Sequence, residues 1–351
     1  MQSRIRLKEK GVVMANAVFT AKNTALVALG SVDAPVEITS SWIDEQLADT
    51  YAACGVRPGL LEHVAGIKSR RWWPEGTTFD QVAAEAGREA LKNANVKASE
   101  IDVLISTSVC KHHLEPSMAS AVHHQLGLPS SAMNFDLANA CLGFINAIWL
   151  ASQLIDSGQV RYVLIVDGEG SRYTQEETIR RLQMPGTTSE DIFAEFASLT
   201  LGSGAVAAVL GPADKGGHRI VGGVSRAATE HHELCIGTLD RMTTDTRGLL
   251  ENGIALANDC FTEAEQHDRW ANDIDWYVLH QVSKVHTEGV CAQLGIDLSK
   301  VPVSFPTLGN VGPAAIPLTM ANNQHLFSEG DNILCMGIGS GLNVSFVELQ
   351  W

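Results

Sequence analysis

Several things are missing from this sequence. No uninterrupted apolar run in its 351 residues approaches the ~18 that a membrane-spanning helix requires. No Cys-x-x-Cys pair occurs; the seven cysteines, at 54, 110, 141, 235, 260, 291 and 335, are odd in number and widely scattered. That pattern excludes a disulfide framework and points to reduced thiols in the cytoplasm. Basic residues are scarce: 25 Lys and Arg against 40 Asp and Glu leave a net charge of −15. Such a chain does not grip nucleic acid through its general field, and an anionic ligand needs a local basic patch. The zinc signature His-Glu-x-x-His is absent. The adjacent histidines at 112–113, 123–124 and 231–232 cannot face one another on a helix, so no metal site is expected. The start carries Arg4, Arg6, Lys8 and Lys10, but the apolar stretch after it is short and broken, and no cleaved signal is expected. Met14 is an alternative start, with residues 1–16 read as an extension.

What is present is a globular composition, 45% hydrophobic and 19% charged, at a length suited to two cores. The chain also repeats itself. Ile101-Asp102-Val-Leu-Ile-Ser returns as Ile274-Asp275-Trp-Tyr-Val-Leu, and Gln125-Leu-Gly-Leu returns as Gln293-Leu-Gly-Ile at an offset of 168. The apolar strand Tyr162–Val166 is matched by Ile333–Met336; Gly202-Ser-Gly204 and Gly339-Ser-Gly341 each open a further strand. Strands alternating with helical stretches imply two α/β units and a largely parallel, buried sheet. The halves are read as 17–211 and 212–351, divided in the turn-rich run Gly211–Gly217. An insertion at 171–198, polar and charged, lacks a counterpart in the second half and is expected to serve as a lid, a binding element or a subunit contact.

Equivalent positions in the two halves carry chemistry. Cys141 follows a strand in the first half, and the 168-residue offset carries it to 309, one short of Asn310. The strand Trp276–Leu279 runs straight into His280. All three fall at strand-to-helix junctions, where open α/β folds place their sites. A thiolate is a nucleophile favoured by the positive end of a helix. A histidine and an asparagine can donate hydrogen bonds to a developing oxyanion, and the turn Gly337-Ile-Gly-Ser340-Gly offers backbone N–H groups to a second. On spacing alone, the trio fits a reacting centre or three well-packed polar residues equally.

Longer segments settle the matter by resemblance. Phe-Asp-Leu-Ala-Asn-Ala-Cys141-Leu-Gly-Phe, Val-Leu-His280-Gln, Gly-Asn310-Val-Gly-Pro-Ala-Ala-Ile-Pro, Met-Gly-Ile-Gly-Ser340-Gly-Leu and Ala-Gly66-Ile-Lys-Ser-Arg70-Arg71 resemble the thiolase superfamily, in the branch that holds ketoacyl synthase III. The resemblance runs from about Ala25 to the C-terminus. It implies a duplicated α/β fold, a five-layered αβαβα sandwich working as a homodimer, with Cys141, His280 and Asn310 as catalytic residues. It also implies the N–H groups of Cys141 and Ser340 as the oxyanion hole.

Two segments depart from that branch. Val64-Ala65 stands where an arginine helps to hold coenzyme A, and Leu114-Glu115-Pro-Ser replaces an aromatic residue before Pro-Ser on the loop that reaches the partner subunit. A decarboxylating synthase needs no base, because loss of CO₂ creates its carbanion. Condensing an ordinary acyl thioester requires removal of an α-proton, for which a desolvated carboxylate is suited. Together with Ala-Asn-Ala-Cys-Leu and Gly-Ile-Gly-Ser-Gly-Leu-Asn, this segment resembles the condensing enzymes of head-to-head olefin biosynthesis, in which a glutamate from the partner is taken as the base.

The resemblance therefore implies non-decarboxylative Claisen condensation of two long-chain acyl-CoAs, with Glu115 as base and no metal or redox cofactor. Lys68, Arg70, Arg71 and Arg172, with Arg180 and Arg181, are candidates to hold coenzyme A, surface ion pairs being the alternative. Peripheral contact with a membrane and hand-over to downstream enzymes are further expectations. The rival readings are a decarboxylating synthase III acting on acyl-carrier protein, and a catalytically silent scaffold.

Overall fold

The computed structural model describes residues 18–266 and 273–351, so the expected extension and the Met14 start lie outside the described residues. β1 (Val18–Thr20) and β2 (Thr24–Asp33) lead into a separate ribbon of β3 (Val36–Thr39) and β4 (Ser69–Trp72). β5 (Val103–Ser106), β6 (Met133–Asp136), β7 (Val163–Glu169) and β8 (Gly204–Pro212) complete a sheet half in the order β2-β8-β7-β5-β6. The turn Ala213–Lys215 then leads to β9 (His218–Ala227), followed by the hairpin β10 (Cys235–Gly237) and β11 (Met242–Thr244). With β12 (Trp276–Leu279), β13 (Asn332–Gly339) and β14 (Asn343–Gln350), β9 forms a half in the order β9-β14-β13-β12. Setting β2 on β9, β8 on β14, β7 on β13 and β5 on β12 makes the two orders coincide, which is the internal repeat in three dimensions. The halves join where Ala25 and Leu26 pair with Arg219 and His218.

The sheet is mixed rather than largely parallel. β5, β6 and β7 run parallel, as do β12 and β13, but β8 is antiparallel to β2 and β7, and β14 to β9 and β13. The reason is local for β13 and β14. Only Ser340, Gly341 and Leu342 separate them, too few for the crossover that a parallel neighbour requires.

The layers follow from which helix faces which strand. After the short α1 (Ser40–Gln46), α2 (Ala48–Cys54) and α3 (Leu60–His63) come α4 (Phe79–Ala94) and α5 (Met118–Leu126), which cover the outer face of the first half. α4 lies directly on β2: a Cβ at Gly30 would stand 2.2 Å from the Ala90 nitrogen, and Ala83, Ala84, Ala86 and Ala90 are all buried. α6 (Gly143–Asp156) is apolar nearly all round and touches strands of both halves, as a helix between layers must. The charged insertion folds as α7 (Arg172–Leu182) and α8 (Ser189–Thr200), whose Ile179, Leu182, Ile192 and Leu199 pack on Ile43, Leu47, Tyr51 and Leu61.

In the second half, α9 (Thr246–Gln266) and α10 (Lys284–Leu294) cover the outer face. The one-turn α11 (Phe305–Leu308) precedes α12 (Ala315–Asn322), which joins α6 in the middle layer. Among the apolar cores, one lies outside each half and one between them. Helix, sheet, helix, sheet and helix are the five layers expected.

Candidate active site

Three of the sequence candidates lie just past strands: Cys141 follows β6, His280 follows β12 and Ser340 follows β13, whereas Asn310 follows the one-turn α11 rather than the strand expected there. After β6 the chain turns through Ala140, a non-glycine residue at φ 45°, a conformation that costs about 1–2 kcal/mol and is characteristic of functional turns. Asn139 is tied by its side-chain amide to Asn146 Oδ1 at 2.6 Å, and its carbonyl accepts the Leu142 N–H at 2.9 Å. Cys141 is thereby held two residues before the first turn of α6, partly exposed. Gly339, at the end of β13, comes so close that a Cβ there would stand 3.4 Å from the Cys141 nitrogen. The turn bearing Ser340 is thus laid against the segment that carries Cys141.

The helix end does not win the thiol's protonation. Burial pushes the Cys141 thiol up to about 12, with Cys235, Glu169 and Asp167 adding to the effect. At rest Cys141 is a thiol, not the thiolate that its position before a helix suggested.

His280 leaves β12, and its N–H donates to the Met336 carbonyl of β13 at 2.9 Å. The ring is 3% exposed; burial, with the neighbouring His286, lowers its pKa to about 3, so it is neutral. Among the described residues its Nδ1 has no hydrogen-bond partner, and neither has Nδ1 of the buried His286.

Asn310 is held by the other half of the sheet. Its N–H donates to the Thr200 carbonyl at 2.9 Å, and its carbonyl accepts the Gly202 N–H at 2.8 Å. That approach needs a glycine at 202, because a Cβ there would overlap the Leu308 oxygen at 1.7 Å. Asn310 Oδ1 accepts the Gly312 N–H at 3.0 Å, which leaves the side-chain NH₂ as a donor.

Glu115 stands apart from this group. It is exposed, on a segment whose neighbour Leu114 is 98% exposed, and among the described residues it has no hydrogen bond or ion pair. The roots of the segment are fixed. Lys111 pairs with Asp136 at 2.7 Å, His112 stacks on Phe79 with centroids 4.3 Å apart, and Ser117 caps α5.

The basic candidates separate. Arg70 is fully buried and donates to Ser40 Oγ at 3.1 Å and to the Leu199 carbonyl at 3.1 Å, so it is a structural residue and the expectation that it meets coenzyme A is corrected. Arg172 pairs with Glu176 at 2.8 Å and lies over Trp72; Arg180 pairs with Glu177 at 2.7 Å and Arg181 with Glu195 at 2.8 Å. Lys68 is exposed and Arg71 half-buried, and neither side chain has an ion-pair partner among the described residues. Both flank the Asn310 loop: Lys68 N–H donates to the Pro306 carbonyl at 2.8 Å, and the Arg71 carbonyl accepts the Ser203 N–H at 3.0 Å.

Two acids escaped the sequence reading. Asp167 and Glu169, at the end of β7, are buried beside Thr107 and Cys110. Burial raises Glu169 to about 7, and burial with the Glu169 charge raises Asp167 well above the ordinary range. Their signal was available: a polar pair ending an otherwise apolar, fully buried strand.

Residues 72–207 match the thiolase N-terminal domain, and residues 265–351 the 3-oxoacyl-[acyl-carrier-protein] synthase III C-terminal domain. The acyl-CoA:acyl-CoA alkyltransferase of Xanthomonas campestris pv. campestris is 42% identical over 94% of this chain and 99% of its own length. This chain belongs to the thiolase superfamily. A second acyl-CoA:acyl-CoA alkyltransferase, from Shewanella oneidensis, is 30% identical over 91% of this chain and 96% of its own. The β-ketoacyl-[acyl-carrier-protein] synthase III of Roseobacter denitrificans is more distant, at 28% over 82% of this chain and 88% of its own.

In three dimensions, X. campestris OleA with bound lauric acid and lauroyl-CoA aligns at a TM-score of 0.92 and 42% identity, covering 94% of this chain and 99% of that one. The same enzyme has been solved with a cysteine, a histidine or a glutamate replaced. Its glutamate and cysteine are 26 positions apart, the spacing of Glu115 and Cys141.

Proposed function

We propose that this protein joins two long-chain acyl-CoAs by non-decarboxylative Claisen condensation. The observation that carries the reading is the near-full-length likeness to acyl-CoA:acyl-CoA alkyltransferases, in a chain whose Cys141, His280 and Asn310 lie in segments that resemble those of the family.

Cys141 Sγ attacks the carbonyl carbon of the first thioester while its proton passes to neutral His280. The oxyanion is received by the N–H groups of Cys141 and Ser340, and coenzyme A leaves as a thiol after taking the proton. The second acyl-CoA then binds with its carbonyl oxygen against His280 and the Asn310 NH₂. The partner subunit's Glu115 removes the α-proton, the carbanion attacks the acyl-enzyme carbonyl, and the Cys141 C–S bond breaks as the C–C bond forms. The Cys141 thiolate so released takes up a proton, balancing the one that Glu115 removed, and water hydrolyses the 2-alkyl-3-ketoacyl thioester to the β-keto acid and free coenzyme A.

The exposed, unpaired Glu115 on a firmly rooted segment supports a homodimer in which this carboxylate enters the neighbouring site. Lys68 and Arg71 are the cations proposed to meet coenzyme A. The steps call on no metal or redox cofactor, because proton transfer and thioester exchange supply all the chemistry. Among the described residues no helix is long and apolar enough to cross a membrane, and a cytoplasmic location is proposed.

The test is mass spectrometry of products from one long-chain acyl-CoA, with and without malonyl-CoA, for wild type and Glu115→Ala. A doubled-chain β-keto acid, or the ketone from its decarboxylation, is expected without malonyl-CoA and is expected to vanish in the variant. Product only with malonyl-CoA and indifferent to Glu115 would return the protein to the decarboxylating synthases. Failure of Cys141 to take an acyl group would leave the silent scaffold.

A further inference from the structure

Glu169 reaches two segments that the proposed reaction uses. Its carboxylate is 5% exposed and accepts the Val109 N–H at 2.6 Å and the Cys110 N–H at 3.3 Å, the first residues of the segment that carries Glu115. Cys110 is fastened to the same strand end, its thiol donating to the Gly170 carbonyl at 3.3 Å. On its other side, Glu169 meets the Asn310 loop: a Cβ at Gly312 would lie 3.7 Å from Glu169 Cδ, and Gly312 is the residue whose N–H orients the Asn310 amide. Gly312 has φ 54°, so the loop meets the acid with backbone rather than a side chain. Asp167, two residues back on the same strand, accepts the Thr107 hydroxyl at 2.5 Å. No sequence feature ties these segments together; the strand end does.

We infer that Glu169 is a positioning residue for the condensation step. It fixes the root of the segment that presents Glu115 to the partner, and through Gly312 it fixes the loop that presents Asn310 to its own site. The inference rests on the condensing reading above. Carboxylate oxygens on two backbone donors suit this role, because each N–H is satisfied in a buried place and losing the acid strands both. The remaining ties, Lys111 to Asp136 and His112 on Phe79, hold the segment further out and do not touch the Asn310 loop.

The experiment uses the full chain with lauroyl-CoA as the probe, comparing wild type, Glu169→Ala and Glu169→Gln. Acylation of Cys141 is followed by intact mass, condensation by product, and amide exchange at 109–111 by mass spectrometry. Acylation within about twofold of wild type is expected in Glu169→Ala, with kcat for condensation down about tenfold or more and KM little changed. Exchange at 109–111 is expected to quicken. Glu169→Gln keeps the shape and one acceptor, so its condensation rate falls between the two, and it stands in if Glu169→Ala does not fold. Equal losses in acylation and condensation, or unchanged exchange, would overturn the inference. A wild type that takes the acyl group yet makes no product overturns the condensing reading instead, and is seen before any variant is compared.

Discussion

Cys141 and His280 are driven apart in pKa by one cause: burial lifts the thiol to about 12 and depresses the imidazole to about 3. The resting pair is therefore uncharged, unlike a thiolate–imidazolium couple. In the proposed reaction the nucleophile is therefore formed as the acyl thioester is attacked.

This sets the pH dependence of chemical labelling. Iodoacetamide modification of the Cys141 peptide, followed by mass spectrometry, is expected to rise about tenfold per pH unit with no plateau below pH 9. An inflection between pH 6 and 8 would mean that the thiolate is stabilised at rest.

Asn310 gives a second prediction. Asn310→Asp keeps an oxygen for the Gly312 N–H but loses both side-chain donors and adds a negative charge where an oxyanion is proposed to form. Condensation is expected to fall by about a hundredfold or more, the usual effect of removing such a donor. Acylation of Cys141, which does not use this donor, is expected to persist. A variant that condenses at the wild-type rate removes Asn310 from the mechanism.

The buried acids bear on stability. Glu169 holds its proton up to about 7 in the fold against 4.5 when unfolded, and Asp167 is raised well above 3.8. The native state binds more protons than the unfolded chain across this window, so stability present at pH 4.5 is lost as pH rises through about 7. Asp167→Asn retains an acceptor for Thr107 and removes one of the two titrating groups. Urea unfolding at pH 5 and pH 8 is expected to show a smaller difference for this variant than for wild type. The same difference in both proteins would mean that the pair does not titrate in this range.

How much of this is legible in the sequence differs by residue. Cys141 and His280 can be read because each follows a strand, and a strand-to-helix junction is a local pattern; Asn310 is expected at such a junction but follows the one-turn α11, so only the repeat offset and the resemblance point to it. The apolar helix after Cys141 is legible as a buried one for the same reason. Strand direction at β8 and β14 runs against the expected parallel sheet, although the three residues between β13 and β14 already forbid a parallel pair. Arg70 differs from expectation because its charge is visible in the sequence and its burial is not. The hydrogen bonds that absorb it come from Ser40 and Leu199, far away in sequence. Glu169 shows in the sequence only as one of two acids ending an apolar strand; what it touches is not visible there, because Val109 and Gly312 are brought to it by the folded sheet.

The crossing of backbone between the two sheet halves has a consequence for the history of such a chain. Cys141 belongs to the first copy but is closed over by Gly339 of the second; Asn310 belongs to the second but is held by Thr200 and Gly202 of the first. Neither copy keeps a complete set of walls around its own reactive residue. Whatever ancestor was doubled, its descendants have become mutually dependent, and a change that one copy could once have absorbed alone is now felt at the other's chemistry.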